Sequence, residues 1–219
     1  MTVAQEIIRR GITEIVHFTT NHGLVGMLAK GAVLSRRQLP NESLLRYIAH
    51  PNAVTRTEAA EYFDKSADWL DYVNLSVSEI NRSYFGFSNR WSHNSDIFWS
   101  IMAFDAEILT HQGVHFATTN NVYLFCKRGN GLDGFNAMFA TIVRRKGDWS
   151  AKRRNRADWL PTCEQAEVLY PSAVPLEYLR KIYVRTDDDH DCVAGWLAQY
   201  DRHDVLVEIA PAKFNGVPN

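Results

Sequence analysis

The sequence has few cysteines, no long apolar run and almost no net charge, and each absence excludes a class of protein. Its three cysteines, Cys126, Cys163 and Cys192, stand far apart and form no Cys-x-x-Cys pair, which argues against a structural zinc site and a disulfide scaffold. No apolar stretch reaches the length of a membrane span, and the opening MTVAQEIIRRG lacks the apolar run of a signal peptide. We therefore expect a cytoplasmic protein that has no membrane partner.

The familiar catalytic signatures are also missing. There is no Gly-x-Ser-x-Gly, His-Glu-x-x-His or P-loop pattern, and the eight histidines show no metal-ligand spacing, so we expect no metal. Residues 129–134 do match Gly-x-Gly-x-x-Gly, which in a dinucleotide-binding fold follows a strand and opens a helix. No later strand ends in an acid at the expected distance. We interpret this segment as a turn with a helix start, and keep a Rossmann oxidoreductase as an alternative.

The spacing of apolar residues predicts many short strands and a smaller number of helices. Helices are predicted over 3–10 and 24–30, each ended by a glycine, and over 135–145 and 191–200; Ser76 and Glu79 form a capping-box match that predicts one more. A looser helical pattern covers 36–65. Strands are predicted over 14–19, 72–75, 97–104, 114–117, 121–126, 167–170, 182–184 and 205–209. This order of elements favours an α+β fold in one domain that spans residues 1–219.

Positive charge is concentrated in one segment, although the formal net charge of the chain is only -1. Seven of the 24 lysines and arginines lie in thirteen positions: Arg144, Arg145, Lys146, Lys152, Arg153, Arg154 and Arg156. Trp149 lies inside this run and Trp159 just beyond it. Cations follow a phosphate backbone, and indole rings stack on unpaired bases, so the segment favours contact with nucleic acid. A solvated loop that has no ligand is the alternative interpretation.

Three further segments carry side chains suited to chemistry. Glu167 stands at the start of a predicted strand directly after the basic segment, where a carboxylate could stabilise a developing cation or accept a proton. His17 and Thr19, near the end of an early strand, could bond a ribose or an amide. Tyr72 shares one strand face with Asn74 and Ser76, which indicates a pocket lining or an edge strand that faces water. Each of these residues also has an ordinary structural interpretation.

Taken together, these segments resemble the DarT family of DNA ADP-ribosyltransferase toxins. The matching stretches follow the family's order across most of the chain: 17–20 with Leu24 and Gly31, then 71–76, 113–121, 165–171 and 182–184. The resemblance implies an ADP-ribosyltransferase fold, with a split, bent β-sheet core, peripheral helices and NAD in the cleft. It implies that Glu167 is catalytic, that His17 and Thr19 anchor the nicotinamide side of NAD with Tyr72 nearby, and that an arginine also serves the site. Arg56 is the best match for that arginine, and Arg46 competes with it.

The resemblance also implies a substrate and a partner. The substrate would be single-stranded DNA, held by the loop 144–161 through Arg145, Trp149, Arg153, Arg154 and Trp159. The partner would be a macrodomain antitoxin similar to DarG. Asn74-Leu75-Ser76 and Gly23-Leu24 depart from the thymine-directed members and look more like the guanine-directed branch. An acceptor in RNA or protein, hydrolysis of NAD alone, and a non-catalytic nucleic-acid-binding module are the alternatives.

Overall fold

The computed structural model describes residues 1–39, 69–89 and 96–219. Its helices are α1 (Val3–Arg10), α2 (Asn21–Lys30), α3 (Arg82–Asn89), α4 (Gly131–Ala137) and α5 (Asp187–Gln199). Its strands are β1 (Glu14–Thr20), β2 (Ala32–Leu34), β3 (Tyr72–Val77), β4 (Trp99–Asp105), β5 (His115–Ala117), β6 (Arg128–Asn130), β7 (Ile142–Arg144), β8 (Ser150–Lys152), β9 (Glu167–Pro171), β10 (Ala173–Pro175), β11 (Leu179–Val184) and β12 (Leu206–Ile209). The expected α+β class is confirmed.

Eight of these strands form one mixed sheet in the order β12–β11–β4–β1–β3–β9–β5–β6. Neighbouring strands are antiparallel except β11 and β12, which are parallel. A Rossmann fold is built on a mostly parallel sheet, so this topology excludes that alternative. Two short antiparallel pairs, β2 with β10 and the β7–β8 hairpin, lie outside the large sheet.

Both faces of the central strands are buried, which explains the continuous apolar run in β4. Met102 and Phe104 belong to the main core, where α1, α2, α4 and α5 pack against the sheet. Ile101, on the opposite side of the same strand, packs in a second cluster with Phe85 of α3. Because successive side chains of a strand point to opposite faces, a strand covered on both faces must be apolar throughout.

Local signals account for the ends of the first two helices. Thr2 caps α1 in a capping box with Gln5, and Gly11 ends the helix in the left-handed conformation at φ 68°. Thr20 accepts a hydrogen bond from the Gly23 N–H at the start of α2, and Gly31 ends that helix, again at φ 68°. Glycine has no Cβ to clash in this conformation. The predicted helix ends at Gly11 and Gly31 are confirmed.

The helix predicted from Ser76 and Glu79 is wrong. Ser76 lies in β3, where it pairs with Val16, and the chain turns at Ser78, which has φ 62°. Helix α3 begins only at Arg82, after Asn81, whose side-chain oxygen accepts a hydrogen bond from the Tyr84 N–H at 3.1 Å. The capping-box pattern was present, but pairing with β1 holds Ser76 extended.

Two other predicted elements differ from the structure. Residues 121–126 form successive turns rather than a strand, with the Tyr123 N–H bonded to the Asn120 carbonyl and the Cys126 N–H to the Tyr123 carbonyl. The helix predicted over 135–145 stops at Ala137, and its second half becomes β7.

The segment 129–134 does contain a helix start, as predicted. Its end glycines let α4 pack closely on β6, because a Cβ at Gly134 would lie 2.3 Å from the Gly129 carbonyl carbon. The pattern therefore serves local packing. Within the described ranges, no helix is long and apolar enough to cross a membrane.

Candidate active site at the split of the sheet

The large sheet splits between β1 and β3. Strand β1 pairs with β4 along its whole length, from Glu14 to Thr20. It pairs with β3 at only two positions, Ile15 with Val77 and Val16 with Ser76. Beyond Val16 the two strands separate, which divides the sheet into the halves β12–β11–β4–β1 and β3–β9–β5–β6. The split leaves a cleft edged by strand backbone and by the side chains that follow Val16.

His17 is the first residue beyond the point of separation, and it bridges the split. Its Nδ1 lies 3.0 Å from the carbonyl oxygen of Asn74 in β3. A carbonyl oxygen only accepts hydrogen bonds, so Nδ1 carries the proton. Burial lowers the pKa of His17, which keeps the ring neutral near pH 7 and leaves Nε2 as a hydrogen-bond acceptor.

Thr19 and Tyr72 lie on opposite sides of the split, and Thr19 is the more deeply buried of the two. Thr19, paired with Ser100 of β4, is only 3% exposed. Tyr72 begins β3 and is half-buried. Its ring packs against Trp69, with ring centroids 5.0 Å apart, and against His115 at 5.7 Å. At Tyr72, β3 pairs with β9 alone, because β1 has separated from β3 at this level, so Tyr72 lies where the strand has an open edge along the split.

Glu167 begins β9, and its side chain is buried, with 9% of the residue exposed. Its Oε2 accepts a hydrogen bond from the backbone N–H of Asn121 at 2.8 Å. Burial raises the pKa of Glu167 to about 7, against the lowering effects of this hydrogen bond and of the Arg128 charge. A carboxyl that titrates near neutrality is suited to take up a proton at working pH.

Strand pairing brings His17 and Glu167 to the same part of the sheet. Asn74, whose carbonyl binds His17, pairs with Leu169 in β9. Leu169 is two residues from Glu167, a separation of roughly 7 Å along a strand. His17 therefore contacts the backbone of β3, the strand that pairs with β9, and Glu167 is the first residue of β9.

The basic segment divides into interior and exposed side chains. Three arginines bond within the fold. Arg145 binds the Glu164 carboxylate at 3.0 Å. Arg153 donates to the carbonyls of Ala157 and Leu160, both at 3.1 Å. Arg156 donates to the Pro161 carbonyl at 2.6 Å and to the Val217 carbonyl at 2.8 Å. These guanidinium groups hold the segment in shape.

The exposed part of the segment centres on the β7–β8 hairpin. Trp149 is 74% exposed and Trp159 is 36% exposed. Lys146, Lys152 and Arg154 are also exposed. Two contacts connect this surface to the neighbourhood of Glu167. Arg144 stacks over the Phe125 ring at 3.4 Å, and Cys163 lies 3.3 Å from the Thr119 hydroxyl. An exposed cationic and aromatic surface thus adjoins the buried carboxyl.

The match to a known family decides the identity. A family model described as "DarT: ssDNA thymidine ADP-ribosyltransferase" matches residues 16–215. The chain belongs to the DarT family. The enzyme class expected from the sequence, an ADP-ribosyltransferase that uses NAD, is confirmed by this membership. No curated protein gives a significant match.

Solved DarT structures have the same fold as this chain. DarT of Thermus sp. 2.9 in complex with ADP-ribosylated ssDNA matches with a TM-score of 0.63 and 18% identity, covering 93% of this chain and 96% of that one. The same protein in complex with carba-NAD+ matches with a TM-score of 0.59 and 16% identity over 92% and 97%. Thermosipho africanus DarTG in complex with ADP-ribose matches with a TM-score of 0.58 and 14% identity, covering 92% of this chain and 51% of that one. The expected ADP-ribosyltransferase fold is confirmed.

In the candidate site, one pair of residues had no role suggested by the sequence. Another pair, which the sequence did suggest, lies outside the described residues. Asn121 donates a hydrogen bond to Glu167, and the charge of Arg128 lowers the pKa of Glu167. Neither residue had a predicted role, and Asn121 was assigned to a strand. The predicted active-site arginine, Arg56, and its competitor Arg46 both lie outside the described residues. Within those residues, no cluster of three metal-ligating side chains is present.

Proposed function

We propose that this chain transfers ADP-ribose from NAD to a base of single-stranded DNA, with Glu167 as the catalytic carboxylate. The observation that carries the proposal is the buried Glu167 carboxyl, bound by a loop that also contacts the cationic and aromatic hairpin through Phe125 and Arg144. The family description and the Thermus complexes with carba-NAD+ and ADP-ribosylated ssDNA agree with this substrate pair.

The proposed reaction exchanges one bond at the ribose carbon. The bond from that carbon to the nicotinamide nitrogen breaks, nicotinamide leaves, and a base nitrogen forms the new bond. The proton released by the attacking nitrogen passes to Glu167, whose pKa of about 7 suits it to take up and later release a proton. The negative carboxylate also stabilises the positive charge that develops on the ribose.

We assign the NAD contacts to the residues at the split. His17 offers an Nε2 acceptor to an N–H or O–H of the nicotinamide riboside, since its Nδ1 is held by Asn74. Tyr72 supplies a half-buried ring on β3, and Thr19 is buried near the end of β1. Arg56 is proposed as the active-site arginine. Arg56→Lys and Arg46→Lys, compared in one NAD-turnover assay, distinguish the two candidates.

We assign the DNA contacts to the basic segment, in two groups. Trp149, Arg154 and Trp159 are exposed and offer direct stacking and phosphate contacts. Arg145 and Arg153 bond to groups within the fold, so we propose that they affect DNA binding indirectly, by holding the loop in shape. Single-stranded DNA is favoured because a duplex covers the base edge that would react.

The deciding experiment combines purified protein, NAD and single-stranded oligonucleotides, followed by mass spectrometry. We expect a mass increase of one ADP-ribose in the wild type and none in Glu167→Ala. Glu177→Ala is the matched control, because Glu177 is an exposed glutamate on another part of the fold. Normal DNA modification by Glu167→Ala would refute the catalytic assignment. NAD turnover without a DNA adduct would favour an RNA or protein acceptor, and neither activity would favour a binding module.

The modified base is a finer part of the proposal. We propose guanine, because Asn74-Leu75-Ser76 and Gly23-Leu24 depart from the thymine-directed pattern, although the matching family model is described as thymidine-directed. Two oligonucleotides of equal length, one with thymine as its only reactive candidate and one with guanine, test this point. An adduct on the thymine strand alone would overturn the guanine assignment and leave the transferase proposal intact.

We further propose that the chain is a toxin restrained by a macrodomain antitoxin similar to DarG. The likeness to Thermosipho africanus DarTG supports this partner. Expression of the wild type in a bacterial host should arrest growth, and co-expression of a DarG-like macrodomain should restore it. Healthy growth at wild-type expression levels, with activity confirmed in the lysate, would contradict the toxin role.

A further inference from the structure

Glu167 is bound by a loop that one arginine helps to hold in shape. The loop 118–127 connects β5 to β6 and carries Asn121, whose backbone N–H binds Glu167. Its ends are closed by two hydrogen bonds between Thr118 and Lys127, at 3.0 and 3.1 Å. Within the loop, the Tyr123 N–H binds the Asn120 carbonyl, which belongs to the same peptide group as the Asn121 N–H. Asn121 itself is held from the other side by Arg128.

The Arg128 guanidinium holds Asn121 at two points. Its Nε donates to the Asn121 side-chain oxygen at 2.7 Å, and one terminal nitrogen donates to the Asn121 backbone carbonyl. A third contact reaches the Cys126 carbonyl at 3.5 Å. Because a guanidinium is a rigid, planar fork, two simultaneous bonds fix the orientation of their acceptor as well as its position.

Arg128 is itself held against an aromatic cluster. Its guanidinium carbon lies 5.7 Å from the centre of the Trp69 ring, within range of a cation–π contact. Trp69 in turn packs against Tyr72 and His115. The arginine therefore links the loop that binds Glu167 with the aromatic wall that includes Tyr72.

We propose that Arg128 is a positioning residue for the transferase reaction: by fixing Asn121, it aims a backbone N–H at the Glu167 carboxylate. The inference rests on the proposed catalytic role of Glu167. Arg128 contributes charge as well as geometry, since its positive charge lowers the pKa of Glu167 against the effect of burial. Among the described residues, the Cys126 thiol is the other titratable group coupled to Glu167, and burial raises its pKa, so it stays neutral.

Two substitutions separate geometry from charge. Arg128→Gln removes both, so we expect kcat to fall about tenfold or more and the acid limb of the pH profile to move up by about one unit. Arg128→Lys keeps the charge and loses the paired hydrogen bonds to Asn121. We therefore expect kcat to fall while the acid limb of the pH profile stays near its wild-type position. The KM for NAD should change little in both variants, because Arg128 acts through Glu167.

Lys127→Gln is the matched control. Lys127 is the exposed neighbour of Arg128, and its substitution removes the same charge without disturbing the Asn121 contacts. A readout that needs no turnover is the infrared titration of the Glu167 carboxyl, identified by its loss in Glu167→Gln. Arg128→Gln should move that titration upward, and Lys127→Gln should not. Thermal unfolding reports whether each variant is folded, and Arg128→Lys carries the test if Arg128→Gln is not.

The outcomes distinguish this inference from the proposed function. If Glu167→Gln abolishes transfer while Arg128→Gln keeps wild-type kcat and titration, the positioning role is wrong and the transferase proposal stands. If Glu167→Gln keeps full activity, the catalytic assignment of Glu167 fails while the transferase activity stands, and the infrared titration still decides whether Arg128 controls the Glu167 carboxyl. A uniform loss of activity with unchanged pH profile and titration in both Arg128 variants would reduce Arg128 to a general structural role and overturn the inference.

Discussion

Two glutamates three residues apart, Glu164 and Glu167, differ in burial and in what surrounds them: Glu167 is buried, and Glu164 is partly exposed. Both oxygens of Glu164 have strong donors: Arg145 binds Oε1 at 3.0 Å, and the Asn219 N–H binds Oε2 at 2.9 Å. Glu167 has one backbone donor, the Asn121 N–H, and the more distant charge of Arg128. Glu167 is the more deeply buried of the two, and the number and charge of the partners separate the two residues further.

The difference teaches how this fold assigns one acid to structure and the other to chemistry. A carboxylate with an arginine in contact cross-links the segments it joins. For Glu164 those segments are the basic loop, through Arg145, and Asn219. A buried carboxylate without such contact resists ionisation and titrates near neutral pH, as Glu167 does.

The largest expected effect is on activity. Glu167→Gln keeps the size of the side chain and a hydrogen-bond acceptor for Asn121, but it cannot take up a proton. We expect ADP-ribose transfer to fall about a thousandfold, the usual scale for loss of a catalytic acid or base. Glu164→Gln, measured beside it by the same mass-spectrometric assay, should lose less than about tenfold. Equal losses in the two variants would erase the proposed distinction.

The second effect is on the free energy of unfolding, and here substitution of Glu164 should cost more than substitution of Glu167. Glu164→Ala leaves Arg145 buried without its counter-charge and releases the Asn219 N–H. Breaking a buried ion pair in this way costs about 3 kcal/mol of unfolding free energy. Chemical denaturation of Glu164→Ala measures the loss, with Glu177→Ala as the exposed control. A loss no larger than that of the control would show that the Arg145 contact contributes little.

The third effect is a pH-dependent gain of stability on removing the Glu167 charge. The folded pKa, about 7, lies above the ordinary value of 4.5, so the unfolded chain releases the proton first as pH rises. The wild type therefore loses stability between about pH 4.5 and 7, by roughly 2 kcal/mol after allowance for solvent relaxation. Glu167→Gln has no such proton to lose. Its unfolding free energy should match the wild type at pH 5 and exceed it at pH 8; a constant difference would contradict the raised pKa.

Sequence patterns were sufficient where the structure depends on neighbouring residues. The C-terminal ends of α1 and α2 follow from Gly11 and Gly31, which act within one turn of each helix end, whereas α2 begins three residues before its predicted start. The strand at Glu167 was also predicted, because its apolar residues and its position after the basic run are visible in the sequence.

Patterns failed where a distant partner decides the outcome. The turns at 121–126 read as a strand, yet this loop is set by Arg128 and by a bond to Glu167 that spans 46 residues. The arginines of the basic segment look alike in the sequence, and only the fold shows that Arg145, Arg153 and Arg156 face inward while Arg154 faces out. The spacing of residues in the sequence does not indicate which arginine will bind a backbone carbonyl.

The smallest effect extends the comparison to that segment, where Trp149 and Arg153 were both predicted to contact DNA. Trp149 is 74% exposed, so Trp149→Ala should leave the unfolding temperature unchanged and weaken binding of single-stranded DNA about tenfold, since one base stack contributes about 1–3 kcal/mol. Arg153→Ala should lower the unfolding temperature, because the Ala157 and Leu160 carbonyls lose their donor. Its binding of single-stranded DNA should stay close to that of the wild type. Fluorescence anisotropy with a labelled oligonucleotide, paired with thermal unfolding, measures both. If Trp149→Ala bound DNA as tightly as the wild type, the exposed hairpin would not be the DNA surface, and the contact would have to lie on another face of the cleft.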